Sequence, residues 1–128
     1  MVYLDSSALV KAVVWEPASG ALRRFLLHHP VRVSSALART EVVRAVRHLG
    51  PQAVARAGEV LARIELVRVD DTLLDAAAGL DPRVLRSLDA IHLATARAVS
   101  GRLAFVVTYD GRMAEGARLL GLPVATPE

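Results

Sequence analysis

Short apolar segments alternate with longer amphipathic segments along almost the whole chain. The longer segments, which Gly and Pro punctuate, predict helices at 7–15, 17–29, 36–49, 51–64, 71–78, 87–99 and 111–120. The short ones predict β-strands at 2–4, 31–34, 66–69, 104–109 and 122–125. Strands that alternate with helices are typical of a parallel sheet covered on both faces. We therefore expect an α/β fold, a three-layer sandwich with a central, mostly parallel sheet flanked by helices.

Length and composition favour one domain spanning residues 1–128. The chain is 53% apolar and shows no composition break, linker or repeat, and a chain of this length can bury a sizeable core. No apolar run approaches the roughly 20 residues that a membrane span requires. No basic segment precedes an apolar one at the N-terminus, so we expect no signal peptide and a cytoplasmic location without membrane contact.

Cysteine usage and charge narrow the possible chemistry. The chain has no cysteine, which excludes disulfides and thiolate nucleophiles or metal ligands. The net charge is +3, and Lys11 is the only lysine among sixteen basic residues. Arginine suits bidentate phosphate contact, although an arginine-rich composition is also typical of a genome rich in G and C. So modest a charge is weak evidence for a nucleic-acid partner.

Four acidic residues stand where an α/β fold can bring them together. Asp5 and Asp110 each follow a predicted strand, whereas Glu41 and Asp89 lie early in two predicted helices. Ligands of open α/β sheets bind at the carboxyl ends of the strands. Carboxylates gathered there favour a shared cation, and their hard oxygen ligands suit Mg²⁺ or Mn²⁺. Such a site is typical of metal-dependent phosphodiesterases.

Each of these acids also has a local explanation. Asp5 can cap a helix, Asp110 can occupy a turn, and Asp89 can complement a helix dipole. Glu41 can form an ion pair with Arg44, three residues along the same helix. One shared metal accounts for all four acids together, whereas the local explanations require four separate coincidences.

The helix predicted at 87–99 carries an apolar stripe at helical spacing. Asp89 lies at the edge of that stripe, and His92 stands beside it. His92 can be a metal ligand or a base, but we expect a packed, hydrogen-bonded side chain. The stripe consists of Leu88, Ile91, Thr95 and Ala98.

Four segments that contain these acids resemble, in order, the motifs of PIN-domain nucleases. The third is long and specific, and together they extend over essentially the whole chain. In length, without an additional domain, the chain is similar to the VapC toxins of bacterial toxin–antitoxin pairs. The segments are 5–11 (DSSALVK), 39–45 (RTEVVRA), 87–96 (SLDAIHLATA) and 107–113 (VTYDGRM).

The resemblance implies a PIN-like fold and an endoribonuclease that depends on Mg²⁺ or Mn²⁺ and acts as a toxin. Asp5, Glu41, Asp89 and Asp110 would be its catalytic residues, and Asp5, Asp89 and Asp110 would hold one or two cations. The RNA phosphodiester bond would be hydrolysed by a water that the metal activates. The resemblance also implies a VapB-type antitoxin that inhibits the enzyme, and a homodimer.

Several residues are candidates for supporting roles. Ser7 and Thr108 can donate hydrogen bonds that orient Asp5, or they can be a helix cap and an ordinary strand residue. Phosphates of RNA can be contacted by arginines near the acids, namely Arg39, Arg44 and Arg112. Arg112 has an alternative role as an exposed partner of Glu115 in the same helix.

Other protein classes fit less well. A phosphatase of the haloacid-dehalogenase type requires an aspartate two residues after the first, where this chain has Ser7. It also requires a distal lysine, as does a receiver domain, and the only lysine is Lys11. The remaining alternative is a non-catalytic PIN-like domain that binds RNA or sequesters an antitoxin.

Overall fold

Five parallel strands form the centre of the protein, in a computed structural model that describes residues 1–128. The strand order is β3-β2-β1-β4-β5, and every pairing is parallel. The expected α/β sandwich is confirmed. The strands are β1 (Val2–Leu4), β2 (Arg32–Ser35), β3 (Glu65–Val67), β4 (Phe105–Val107) and β5 (Val124–Ala125).

All seven predicted helices are present. Two 3₁₀ turns follow the third and sixth helices, at Arg47–Leu49 and Ser100–Arg102. None of the helices combines the length and apolar character needed to cross a membrane. The α-helices are α1 (Ser6–Val13), α2 (Ser19–Leu27), α3 (Ala38–Val46), α4 (Pro51–Leu61), α5 (Asp71–Ala78), α6 (Ser87–Ala98) and α7 (Gly111–Leu119).

The central strand divides the core into two layers. Side chains alternate between the faces of a strand, so Val2 and Leu4 pack against α1, α2, α3 and α4. Tyr3, between them, packs on the opposite face with residues of α6 and α7. Helices from both layers can therefore contribute side chains to one end of β1.

The strand order places an opening beside β1. From β1 the chain adds β2 and β3 on one side, and it then returns to add β4 and β5 on the other. The direction of winding therefore reverses between β1 and β4, which is where open α/β sheets bind ligands. Asp5 and Thr108 directly follow these two strands.

The connection between α1 and α2 differs from the prediction. Instead of ending at Trp15, α1 ends at Val13, where the backbone becomes extended at Val14. The α2 helix begins at Ser19, whose buried hydroxyl donates to the Lys11 and Val14 carbonyls. Trp15 is 68% exposed and stacks against Arg23. Trp15 therefore lies at the surface and not in the core.

Strand β4 is shorter than the predicted strand 104–109. Its regular pairing with β1 ends at Val107 because β1 turns into α1 after Leu4. Thr108 and Tyr109 continue past the end of β1, and there their polar atoms contact the loop that begins α1.

The predicted apolar stripe on α6 is wrong. Leu88 is 48% exposed and Ala98 is exposed, whereas the helix buries His92, Leu93 and its neighbours up to Ala96. The reason is that α6 packs against α5 as well as against the sheet, so its buried surface extends over adjacent faces. A single periodic stripe describes a helix with one packed face.

Replacing Leu93 with Ala tests whether the core beneath α6 supports the fold. Leu93 is fully buried beside Tyr3 and Met113, so we expect the change to lower the free energy of unfolding by about 2–5 kcal/mol. Urea denaturation followed by circular dichroism measures the loss. Leu119→Ala is the control, because Leu119 is 64% exposed and its truncation should cost about 0.5 kcal/mol or less.

Candidate functional site

Asp5 lies buried at the centre of the site. Its side chain is 4% exposed, and three donors satisfy its oxygens. Ser7 Oγ donates to Oδ1 at 2.6 Å, and the Ala8 backbone N–H donates to the same oxygen at 3.0 Å. Thr108 Oγ1 donates to Oδ2. Asp5 therefore caps α1 and also accepts hydrogen bonds from the two hydroxyls predicted to orient it.

Burial and hydrogen bonding act on Asp5 in opposite directions. Removal from water raises the pKa of its carboxyl, and the bonds from Ser7, Thr108 and Ala8 offset part of that rise. The net effect is a raised pKa. An acid held in this state gains from a cation that restores its charged form.

Ser7 and Thr108 also join the two loops that follow β1 and β4. The Tyr109 backbone N–H donates to Ser7 Oγ at 2.9 Å, and the Asp110 N–H donates to Thr108 Oγ1 at 3.0 Å. The position of Asp110 is thereby coupled to that of Asp5. The Asp110 carboxylate caps α7 through the N–H groups of Arg112 and Met113.

Glu41 extends from the first turn of α3 toward α6. His92 Nε2 lies 2.6 Å from Glu41 Oε1, and Ser6 Oγ donates to Oε2 at 3.3 Å. The alternative ion pair with Arg44 is absent, since Glu41 pairs only with His92. The interpretation of His92 as a packed, hydrogen-bonded residue is confirmed, because it is 1% exposed and also contacts the Tyr3 hydroxyl.

Asp89 and Asp110 face a cleft of about 530 Å³ that Glu41 also lines. The pKa of Asp89 is raised, first by partial burial and then by the charge of Asp110; His92 offsets part of the rise, and Asp5 and Glu41 add smaller increases. Three of the four predicted acids therefore share one cleft, and the electrostatic effect of Asp5 on Asp89 links the fourth to it.

The donor set suits a hard divalent cation. The three candidate ligands, Asp5, Asp89 and Asp110, are carboxylates, as Mg²⁺ and Mn²⁺ prefer, and the fourth acid, Glu41, lies beside them. No three acidic or histidine side chains converge on one point that could hold a metal. Asp5, Glu41 and Asp110 each accept hydrogen bonds from the protein. Asp89 and the exposed Asp110 have room to turn toward a cation.

Basic residues line the approaches to the acids. Arg112 lies in the same cleft as Asp89 and Asp110, and Arg44 lies in a second cleft of about 790 Å³ that adjoins Glu41. Arg39 is exposed and lines neither cleft. The alternative pairing of Arg112 with Glu115 is absent from the ion pairs of the structure.

Sequence reasoning missed two further cations. Arg86 lines the cleft of Asp89, and Lys11 lines the cleft of Arg44. Lys11 lies over the Tyr109 ring and pairs with Glu16. Both could have been found from their positions in the sequence, because Lys11 belongs to the first motif and Arg86 directly precedes the third.

Comparison with known proteins agrees with this architecture. The PIN domain family model matches residues 2–119. Ribonuclease VapC46 of Mycobacterium tuberculosis is 52% identical over 126 residues, which cover 98% of this chain and 97% of the relative. Ribonuclease VapC35 of the same species is 40% identical over 131 residues, covering 99% and 97%.

Solved structures share the fold at lower sequence identity. VapC20 of M. tuberculosis, described as a sarcin-ricin loop cleaving toxin, has a TM-score of 0.78 at 18% identity and covers 99% of this chain and 100% of its own. A toxin–antitoxin complex from Klebsiella pneumoniae scores 0.75 at 20% identity, covering 100% and 98%. VapBC2 of Rickettsia felis, bound to a promoter DNA fragment, scores 0.74 at 16% identity, covering 100% of both chains.

The raised pKa of Asp89 predicts how stability depends on pH in the absence of metal. A carboxyl whose pKa is higher in the folded state binds more protons there, so stability falls as pH rises through the window between the two pKa values. Asp89→Asn removes this loss, and we expect its melting temperature to fall less than that of wild type from about pH 4 to about pH 7. Scanning calorimetry in EDTA measures the difference.

Asp75→Asn is the matched control, because Asp75 is an exposed aspartate on α5, away from the cleft. Its pH profile should follow that of wild type. Parallel profiles for wild type and Asp89→Asn would contradict the electrostatic crowding described for the cleft.

Proposed function

This chain belongs to the PIN-domain family and, within it, to the VapC ribonucleases, and on that premise we propose that it is a metal-dependent endoribonuclease toxin. Residues 1–128 would act as one nuclease domain. The observation that carries the proposal is the gathering of Glu41, Asp89 and Asp110 around one cleft, beside the buried carboxylate of Asp5. Carboxylates gathered at the carboxyl edge of a parallel sheet repel one another unless a cation joins them.

The four acids have different roles toward a divalent cation such as Mg²⁺ or Mn²⁺. Asp5, Asp89 and Asp110 would hold it, and Asp5 is the fixed ligand because Ser7 and Thr108 restrain both of its oxygens. A bound cation supplies Lewis acidity, which makes a water a stronger nucleophile and stabilises charge on the leaving oxygen. Glu41 is held beside the cleft, where its carboxylate can accept a proton from the attacking water.

RNA must approach a site that is itself negative. Arg112 and Arg86 flank the acids in one cleft, and Arg44 and Lys11 line the adjoining one. We assign these cations to the phosphates on either side of the scissile bond, which they would position without reading base sequence. Arg39 remains a candidate contact to more distant phosphates of the RNA, because it is exposed on the helix that carries Glu41.

A VapB-type antitoxin is the partner that we propose for this enzyme, together with assembly as a homodimer. The proposal of an antitoxin is supported by two similar structures that are described as a toxin–antitoxin complex and as VapBC2. The exposed apolar side chains of Trp15, Leu27 and Val31 offer surface that a protein partner can cover.

Metal-dependent cleavage separates this enzyme from the alternative, a non-catalytic RNA-binding domain. Asp110→Asn and Asp89→Asn should each reduce cleavage of labelled RNA in Mg²⁺ by about a hundredfold or more, while RNA binding persists. Asparagine caps helices as well as aspartate does, so Asp110→Asn should leave α7 intact. Gel-based cleavage and fluorescence anisotropy give the two readouts.

Asp70→Asn is the matched control for these variants. Asp70 caps α5 through the Leu73 N–H, as Asp110 caps α7, but it lines neither cleft. Its cleavage rate should equal that of wild type. If wild type binds RNA and leaves it uncut across a Mg²⁺ and Mn²⁺ titration, the non-catalytic alternative is correct.

Arg112→Ala tests the proposed phosphate contact. Removing one contact should weaken binding to unrelated RNAs to a similar degree and flatten the dependence of log K on log salt by about one ion. Arg118→Ala is the control, because Arg118 is exposed on the same helix but lines neither cleft. Equal salt slopes for wild type and Arg112→Ala would leave Arg112 without a role in RNA binding.

A further inference from the structure

A chain of three polar side chains connects the buried face of β1 to the active-site cleft. The Tyr3 hydroxyl lies 2.7 Å from His92 Nδ1, and His92 Nε2 lies 2.6 Å from Glu41 Oε1. Tyr3 is fully buried and His92 is 1% exposed, whereas the Glu41 side chain is 19% exposed. Of these three side chains, only Glu41 can therefore contact solvent or substrate.

The direction of these hydrogen bonds follows from the proton on Tyr3. A phenol, whose ordinary pKa is about 10, keeps its proton at neutral pH, so the Tyr3 hydroxyl can donate to His92 Nδ1. A nitrogen that accepts a hydrogen bond carries no proton, which places the imidazole proton on Nε2. Nε2 then donates to Glu41 Oε1, whose carboxylate oxygen can only accept.

We propose that His92 is a positioning residue for Glu41, and that Tyr3 selects the imidazole tautomer which lets His92 donate to the Glu41 carboxylate. The proposal rests on the function proposed above and extends it to two residues that touch neither metal nor RNA. The Nε2–H group then orients the Glu41 carboxylate through a 2.6 Å hydrogen bond. Ser6 holds the other oxygen of Glu41, so both oxygens are restrained.

The arrangement explains why a polar group lies beneath the site. Burying an imidazole and a phenol without partners is costly, and here the two groups contact each other at 2.7 Å. Without His92, the only remaining side-chain hydrogen bond to Glu41 is the longer one from Ser6. The carboxylate could then rotate toward the second cleft, where Arg44 lies.

Two amide substitutions of His92 separate its two contacts. The amide nitrogen of His92→Gln reaches the position of Nε2 and can still donate to Glu41, although it loses the Tyr3 contact. The shorter side chain of His92→Asn reaches only the position of Nδ1, so it can contact Tyr3 but leaves Glu41 free. A purely structural role would make both variants similarly damaging, because each replaces a buried ring with an amide.

Single-turnover RNA cleavage in Mg²⁺ gives the first readout. We expect His92→Asn to lower the cleavage rate about tenfold, as expected for a lost hydrogen bond to a charged group, with RNA affinity unchanged. The cleavage rate of His92→Gln should stay within about threefold of wild type. The rate of Tyr3→Phe should lie between those of His92→Gln and His92→Asn. When Glu41→Gln is already present, adding His92→Asn should lower the cleavage rate no further, because His92 acts only through Glu41.

Histidine nitrogen NMR gives a second readout that requires no activity. With ¹⁵N-labelled histidine, the signal that disappears in His92→Gln identifies His92, and it should show a proton on Nε2 alone. Tyr3→Phe should lose this preference. A proton on Nδ1 alone, or on both nitrogens with no change in Tyr3→Phe, overturns the proposal, as do equal cleavage rates in folded His92→Asn and His92→Gln. If wild type cleaves no RNA, the proposed function fails, and the NMR result still decides the tautomer.

Discussion

The buried carboxylate of Asp5 is the constraint on which the site depends. A charged group that is 4% exposed at the end of the central strand requires compensation, because its removal from water is costly. Ser7, Ala8 and Thr108 provide it with hydrogen bonds to both oxygens. Because Thr108 follows the neighbouring strand, the same bonds that stabilise Asp5 also align the loops after β1 and β4.

The site assembles where both helical layers reach the same end of the sheet. Glu41 comes from α3, in the layer that covers Val2 and Leu4, whereas Asp89 and His92 come from α6 in the opposite layer. The contact between His92 and Glu41 therefore joins the two layers across the opening beside β1. A parallel sheet whose winding reverses at β1 makes this possible, since only there are the strand ends not covered by a crossover.

The same crowding that suits the site to a cation disfavours the protein without one. Burial raises the pKa of Asp5, and burial with the charge of Asp110 raises that of Asp89, so both carboxylates lower the stability of the folded chain at neutral pH. Local electrostatic strain of this kind is typical of functional sites, where stability and activity compete. The apolar layers around Leu93 and Val42 supply the stability that offsets it.

The order and type of the elements, and the acids at their ends, could be read from the sequence, because periodicity and helix capping are local properties. The role of Asp5 as a helix cap and the placement of Ser7 beside it were accessible for the same reason. Only the tertiary structure decided that His92 pairs with Glu41, and only it decided between the two roles left open for Thr108, since these contacts join residues 51 and 103 positions apart. It also decided that α6 is packed on adjacent faces, because a helix covered by both a sheet and a second helix buries residues that no single stripe predicts.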